Sequence, residues 1–288
     1  MTPFFSIIIP LYNSGKTLQR TLDSITCQRF KDFELVLVDG GSVDDTRLII
    51  ANLQKTKRLA AQFISGPDQG IYDAMNKGIG MATGQWLYFM GGDDMLAGPN
   101  TLQTVYNAIK HHTAHLFYGN VTGAESGTRY ADDTPDKVLS RGIHHQGIFY
   151  KREIFDYTGK YDLRFKVAAD YHLTIKIFCN TSFKTQYINT DIAFFGEAGL
   201  SSTLFDYPFY SYRYRLLAQN QATDKITAKA ACLDQSIYCC LYLAKEKDRM
   251  GFAWANLLFY LTTRNPTGIP QRLRSFWRMI AWSLKITG

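Results

Sequence analysis

Residues Trp86 to Met95 read WLYFMGGDDM, a run of bulky apolar residues without alternation that stops at two glycines and two adjacent carboxylates. A short apolar run bounded by turn residues suits a strand buried on both faces, as in a parallel sheet, and periodicity alone leaves a buried helix open. On the strand reading, Asp93 and Asp94 sit at a carboxyl end, the edge at which open α/β sheets bind ligands. Neighbouring anions repel each other unless something positive lies beside them. A divalent cation carrying a phosphorylated ligand meets that need, because Mg²⁺ and Mn²⁺ take a few carboxylate oxygens together with phosphate. The alternative left open by these four residues is a surface turn, since Gly-Gly-Asp-Asp is ordinary loop composition.

The preceding chain has a regular rhythm. Phe4 to Pro10 (FFSIIIP) reads as a buried strand ended by proline, and Leu18, Leu22 and Ile25 then recur at helical spacing. Phe33 to Val38 (FELVLV) is a second strand, closed by Asp39-Gly40-Gly41-Ser42. A helix from Thr46 to Leu53 follows, with Ser42 or Asp44 as its cap. Ala61 to Ser65 reads as a short third strand. Ile71, Met75, Ile79 and Ala82 stack at four- and three-residue spacing, which predicts an amphipathic helix leading into the Trp86 strand. Strand and helix in this alternation predict an α/β fold, with a doubly wound parallel sheet and right-handed crossovers. Asp39 and the Asp93-Asp94 pair then fall on one rim. No G-x-G-x-x-G follows either early strand, so the dinucleotide fingerprint is missing and a single nucleotide remains open.

Composition narrows the class. The 288 residues are 46% apolar and 14% aromatic, which is globular. The five cysteines, Cys27, Cys179, Cys232, Cys239 and Cys240, lack paired metal-binding spacing and read as reduced thiols. With no secretory signal visible at the amino terminus, the expectation is a cytoplasmic protein. The net charge of +7 is uneven: from Leu204 onward twelve of the 32 Lys and Arg stand against five of the 25 Asp and Glu, so the earlier part is neutral. The basic excess therefore belongs to the last third and does not indicate nucleic-acid binding by the whole chain.

Six segments together resemble family-2 glycosyltransferases of the GT-A fold, close to bacterial enzymes of exopolysaccharide, O-antigen or colanic-acid-type synthesis. They are SIIIPLYN (Ser6 to Asn13), VDGGSVDDT (Val38 to Thr46), DQGIYDAMNKGI (Asp68 to Ile79), GGDD (Gly91 to Asp94), HQGIFYKR (His145 to Arg152) and AADYHL (Ala168 to Leu173). The resemblance covers roughly residues 4 to 203. It implies a Rossmann-like, mostly parallel sheet flanked by helices in a catalytic domain over 1–203 and gives nothing specific beyond it, where the pattern of 204–288 reads as a helical extension. It also implies inverting transfer from a nucleotide sugar, a UDP-sugar above others, to a polysaccharide or lipid-linked acceptor, with Mn²⁺ or Mg²⁺ as cofactor. A sugar nucleotidyltransferase and a non-catalytic nucleotide-binding protein of the same fold are the rival readings. The first predicts a basic, glycine-rich triphosphate loop, which Leu11 to Thr17 matches poorly.

The resemblance implies that Pro10, Tyr12 and Asn13 face the nucleotide and that Asp39 reads the uracil edge; Asp39 as a turn or cap residue is the alternative. Asp68, in the loop before the third helix, is a further nucleotide-binding candidate with a turn former as the equal alternative, and Asn76, one turn inside that helix, supports the nucleotide site from behind. By analogy Asp93 meets the ribose or the metal indirectly, while Asp94 binds the metal. Gly92 stands where a strict Asp-x-Asp has its first carboxylate, which leaves the division of roles between the two aspartates open. Asp170, at the start of a helix containing Leu173 and Ile177, is the candidate base, with a dipole-favoured helix carboxylate as the alternative. His172 stands where relatives often carry an acid. His144, His145 and Gln146 line the acceptor side, Asp162 is structural, and Glu197 to Ser202, with Ser201, forms a mobile lid.

After Thr203 the pattern turns helical and aromatic. Phe252 to Leu261 is apolar but shorter than the roughly 20 residues that a membrane span needs. In a final helix Ile269, Leu273, Phe276, Trp277, Ile280 and Leu284 share one face opposite Arg274, Arg278 and Lys285. Such a helix either lies on an anionic membrane, on the inner leaflet near a lipid-linked acceptor, or docks on the protein's own core.

Overall fold

The computed structural model describes residues 2–56, 59–199 and 203–245, together with Trp254, Leu258 and Tyr260. Ser201 and the final helix over Ile269 to Leu284 lie outside the described residues, as does the Phe252 to Leu261 run apart from those three positions.

The first half follows the expected alternation: β1 (Phe5–Leu11), α1 (Leu18–Thr26), β2 (Phe33–Asp39), α2 (Thr46–Thr56), β3 (Ala61–Ser65), α3 (Ile71–Met81) and β4 (Trp86–Phe89). These strands are parallel in the order β3-β2-β1-β4. Every residue of β1, β2 and β4 is buried, which is why each reads as an unbroken apolar run. Successive side chains serve opposite faces. Ile8 joins the layer of Met75 and Ile79 on α3, while Ile7 and Ile9 join that of Leu22 on α1, Ile50 on α2 and Leu102 beyond.

The second half departs from the mostly parallel expectation. It comprises β5 (Met95–Leu96), α4 (Thr101–His111), β6 (Leu116–Gly123), β7 (Arg129–Tyr130), α5 (Pro135–Arg141), a 3₁₀ turn (His145–Gly147), β8 (Ile148–Lys151), α6 (Ile154–Thr158), α7 (Ala169–Cys179) and β9 (Thr185–Phe195). The sheet continues β4-β8-β6-β9-β5, with β7 on the side of β6; β8 is antiparallel to both neighbours, and β6–β9 is parallel. The sheet as a whole is therefore mixed. A strand buried on both faces, such as Ile148–Tyr150, shows no alternation, and nothing in its composition reports the direction of its partners.

Two further helices, α8 (Tyr207–Gln219) and α9 (Lys229–Lys245), pack on each other, and α8 packs on α7. Phe209 of α8 lies 4.9 Å from the Tyr171 ring and 5.6 Å from that of Phe165, in one continuous buried cluster. Among the described residues, no helix is long and apolar enough to cross a membrane.

Three members of the expected apolar stripe of α3, Met75, Ile79 and Ala82, are buried, and the fourth is not. Ile71 is 36% exposed, whereas Tyr72, Ala74, Met75, Gly78 and Ile79 face the core. Gly78 lies directly on β1, where an added Cβ would fall 2.4 Å from Ile8 Cγ2. Ile8 is fully buried and β-branched, so it has little room to yield. Overpacking of this kind costs about 1–3 kcal/mol, against roughly 1 kcal/mol gained when alanine replaces glycine in a helix. Gly78→Ala is therefore expected to lower the denaturation midpoint; an equal or higher midpoint in chemical unfolding would contradict this packing.

Candidate active site

β4 ends at Phe89, buried Met90 follows, and the next four residues turn at the sheet rim. Asp94 is 1% exposed, and its carboxylate bridges two strand ends: Oδ2 accepts the Gly91 N–H at 2.5 Å and Oδ1 accepts the Gly196 N–H at 3.0 Å, just past β9. Gly196 approaches so closely that a Cβ there would meet Asp93 Oδ2 at 2.2 Å. Asp93 lines the same cleft, and its carboxyl is pushed up by burial first and then by the charge of Asp94. Arg20 donates to the main-chain oxygen of Asp93 at 3.0 Å, and among the described residues no Lys or Arg pairs with either carboxylate.

That environment suits a cation. Among the described residues, no group of three or more His, Cys, Asp or Glu side chains could hold an ion alone. Two carboxylates fit instead the mixed donor set of Mg²⁺ or Mn²⁺, in which ligand phosphates and water complete the shell.

Asp170 stands in the first turn of α7, where the helix dipole favours a carboxylate. Its Oδ1 accepts the Tyr72 hydroxyl and the Tyr171 N–H, both at 2.8 Å, and His145 Nδ1 lies 3.5 Å from Oδ2. Burial alone would raise its pKa. His145, Tyr72 and the Tyr171 N–H together outweigh that and bring it below the ordinary value. His145 mirrors this: burial opposes its charge, yet Asp170, with Asp94 and Asp93 beyond, draws its pKa up. The two side chains face each other inside one cleft of about 610 Å³ that also holds Asp93, Asp94 and Gln146, and each favours the charged form of the other.

The other expected residues are placed as follows. Pro10 is buried within β1, paired with Val38, while Tyr12 is 68% exposed on the following loop. Asn13 adopts φ 50°, donates its N–H to Ser42 Oγ and accepts the Val43 N–H on its side chain, lacing the loops after β1 and β2 together. Asp39 lies at the end of β2 but outside the cleft, and is 1% exposed. It accepts from the Ser42 N–H, Ser65 Oγ and Arg47 Nε, and these donors hold its pKa down against the opposing effect of burial. Asp68 presses against Gly40 and caps the Gly70 N–H. Asn76 does not face the cleft. It exchanges two hydrogen bonds of 2.9 Å with the main chain of Tyr161, because an amide side chain can satisfy a peptide N–H and C=O at once. His172 lies against the Phe165 ring, away from the cleft, with burial, helped by Lys176, pushing its pKa down to about 4. Asp162 pairs with Arg164. Glu197, at the head of the expected lid, accepts the N–H groups of Glu125 and Ser126.

Two functional partners escaped the sequence reading. Tyr72 reaches Asp170 across 98 positions of chain, and nothing local announces that contact. Asp206 caps α8 through the Phe209 N–H and, with Oδ2, accepts the N–H groups of Val167 and Ala168 at 2.9 and 3.2 Å, bracing the start of α7. A capping pattern before α8 was the available signal for Asp206.

The pH dependence of the Asp170–His145 pair follows from the two directions. Asp170, with a lowered pKa, contributes stability that is complete above the ordinary aspartate value and is lost as pH falls through its folded value. His145, with a raised pKa, contributes stability that is complete below the ordinary histidine value and is lost as pH rises through its folded value. The pair therefore stabilises most between those limits. His145→Gln is expected to move the Asp170 carboxyl titration upward when followed by ¹³C NMR; no movement would mean that the imidazole does not hold the carboxylate charge.

Residues 6–185 match the sequence family described as Glycosyl transferase family 2. A relative from Mycobacterium bovis (strain BCG / Pasteur 1173P2), named PGL/p-HBAD biosynthesis glycosyltransferase, is 44% identical over 213 residues, covering 72% of this chain and 82% of its own. Among solved structures, S. aureus TarS in complex with UDP-GlcNAc superposes with a TM-score of 0.64 at 19% identity, over 96% of this chain and 80% of that one. The mannosyltransferase PcManGT from Pyrobaculum calidifontis, in complex with GDP-Man and Mn²⁺, gives 0.56 at 17% identity, over 99% and 87%. At these identities the two structures speak for the fold.

Proposed function

The chain belongs to glycosyltransferase family 2 and has the GT-A fold, and from that premise we propose an inverting, metal-dependent transfer from a UDP-sugar to a glycan or lipid-linked acceptor. One observation carries the reading: Asp93 and Asp94, set for a cation and diphosphate, share a cleft with Asp170, a carboxylate held in its ionised form. The catalytic domain in this reading spans 1–203.

The loops after β1, β2 and β3 hold the nucleoside. Tyr12 is free to cover the base, and Asp39 keeps the rim in order through Ser42, Ser65 and Arg47. Asp94, with Asp93, would hold Mn²⁺ or Mg²⁺, which when bound offsets the charge that develops on the departing diphosphate. Asp170 takes the proton from the acceptor hydroxyl as that oxygen attacks the anomeric carbon opposite the leaving group. Its Oδ1 already accepts two hydrogen bonds, so Oδ2, with only the longer contact to His145, is the oxygen available for that proton. A single displacement with one base and no covalent intermediate inverts the anomeric centre. The UDP-GlcNAc bound to TarS and the Mn²⁺ bound to PcManGT support the donor and metal classes. The Mycobacterium relative's assignment to PGL/p-HBAD biosynthesis supports a biosynthetic transfer.

A panel of nucleotide sugars assayed for nucleoside diphosphate release, with and without Mn²⁺, tests the reading directly. Release is expected from a UDP-sugar, lost with chelator. Asp170→Asn is expected to slow transfer by about 10²–10⁴-fold with folding retained, and Asp94→Ala to abolish it. Full turnover by Asp170→Asn would remove the assigned base. The basic, tryptophan-bearing sequence from Ile269 onward further supports attachment to an anionic leaflet. Deleting residues Ile269 to Gly288 should abolish co-sedimentation with anionic liposomes, and unchanged sedimentation would dismiss that attachment.

A further inference from the structure

Three rings from separate elements meet on the wall of the cleft. Tyr130 comes from β7, His144 from the residue before the 3₁₀ turn, and Phe195 from the last position of β9. The His144 ring lies 4.5 Å from each of the other two, which are 5.8 Å apart. All three line the cleft, and all are only partly buried.

That distinguishes them from the core aromatics. Tyr88 and Phe149 stack at 4.4 Å and are fully buried, as a purely structural pair should be. Tyr130 and Phe195 pack against the core cluster yet still contribute to the cleft surface. Burial, followed by the neighbouring charge of His145, pushes the His144 pKa down, so its ring is a neutral π face. Beside the rings, Arg141 donates from Nε to the buried Asp132 at 2.8 Å, while its own side chain remains 59% exposed. A flat apolar surface with a polar fork at its edge suits a ring that has one greasy face and hydroxyls around its rim.

Position assigns the surface to one substrate. The nucleoside loops of the proposed donor site follow β1, β2 and β3, whereas the three rings stand on or beside β6, β7 and β9, across β4 and β8 in the sheet. We propose that Tyr130, His144 and Phe195 form a stacking shelf for the acceptor, holding the flat face of a ring near its reacting hydroxyl. This rests on the transferase reading above. The recognised chemistry is a planar apolar face, supplied either by the acceptor pyranose or by an aryl group attached to it.

The test is binding to the full-length protein loaded with UDP and Mn²⁺. Methyl and phenyl β-D-glucopyranosides and β-D-galactopyranosides serve as probes, followed by saturation-transfer NMR, with UDP affinity measured separately by calorimetry. Saturation concentrated on one face of the sugar would identify the pyranose as the stacked ring, and saturation concentrated on the phenyl protons would identify the aryl group. Phe195→Leu and Tyr130→Leu keep apolar bulk but remove the π face. Each is expected to weaken probe binding about five- to tenfold while UDP affinity stays within about twofold. Probe binding unchanged in both variants, no probe binding to the wild type, or a parallel fall in UDP affinity would overturn the shelf. Failure of the wild type to bind UDP would instead strike the donor reading, and probe binding lost through the ring variants would still stand.

Discussion

The carboxylate of Asp94 joins the turn after β4 to Gly196, 102 residues further along the chain. Its two oxygens accept main-chain N–H groups from Gly91 and Gly196, so the turn after β4 and the exit of β9 are held in one register. A buried carboxylate is stable only when hydrogen-bonded, and here the backbone provides the donors. Because peptide N–H groups supply them, the lone pairs not used in those bonds remain for a ligand. The glycines around this turn are the sterically permitted choice: a side chain at Gly92 would strike Leu11 and Ser14, and one at Gly196 would strike Asp93.

The second fixed point is Asp170, and it depends on parts of the chain far from its own helix. Tyr72 at the start of α3 and His145 on the 3₁₀ turn hold the carboxylate, while Asp206 grips the backbone just before α7. Asp206 also caps α8, so the helical pair α8–α9 is tied to the segment that places the candidate base. Burial raises the pKa of Asp206, and its three main-chain donors, the N–H groups of Val167, Ala168 and Phe209, oppose that.

Much of this was legible because buried parallel strands and carboxylates at their ends leave unambiguous marks. The runs FFSIIIP, FELVLV and WLYFM overlap the three fully buried strands to within a residue at each end, and Asp94 and Asp170 come together in one cleft. Asp39 shows the limit of that reading. Its place at a strand end was visible, but its commitment to Ser42, Ser65 and Arg47 depends on neighbours brought up by β3 and α2. Asn76 is similar, since an amide one turn inside a helix gives no local sign that its partner is the main chain of Tyr161. The antiparallel place of β8 and the ring cluster of Tyr130, His144 and Phe195 were invisible because both arise from pairings between distant segments.

Charge in the cleft gives the final step. Five acidic residues line it, Asp93, Asp94, Asp132, Asp170 and Glu197, against Arg141, Lys166 and His145. Asp132 is matched by Arg141 and Asp170 by His145, and Glu197 is occupied with main-chain N–H groups. Lys166 is turned to the carbonyl of Gln69, 3.4 Å away. What remains without a paired Lys, Arg or His among the described residues is the Asp93–Asp94 couple, where burial first and then the charge of Asp94 push the Asp93 carboxyl up. A nucleoside diphosphate would add negative charge to that place, and Coulomb repulsion over a few ångströms in a partly dry cleft is several kcal/mol, on the order of 4 at an effective dielectric of 20. Binding an anionic donor here therefore calls for a divalent cation to arrive with it, and this supports the metal-dependent chemistry better than resemblance to other folds can.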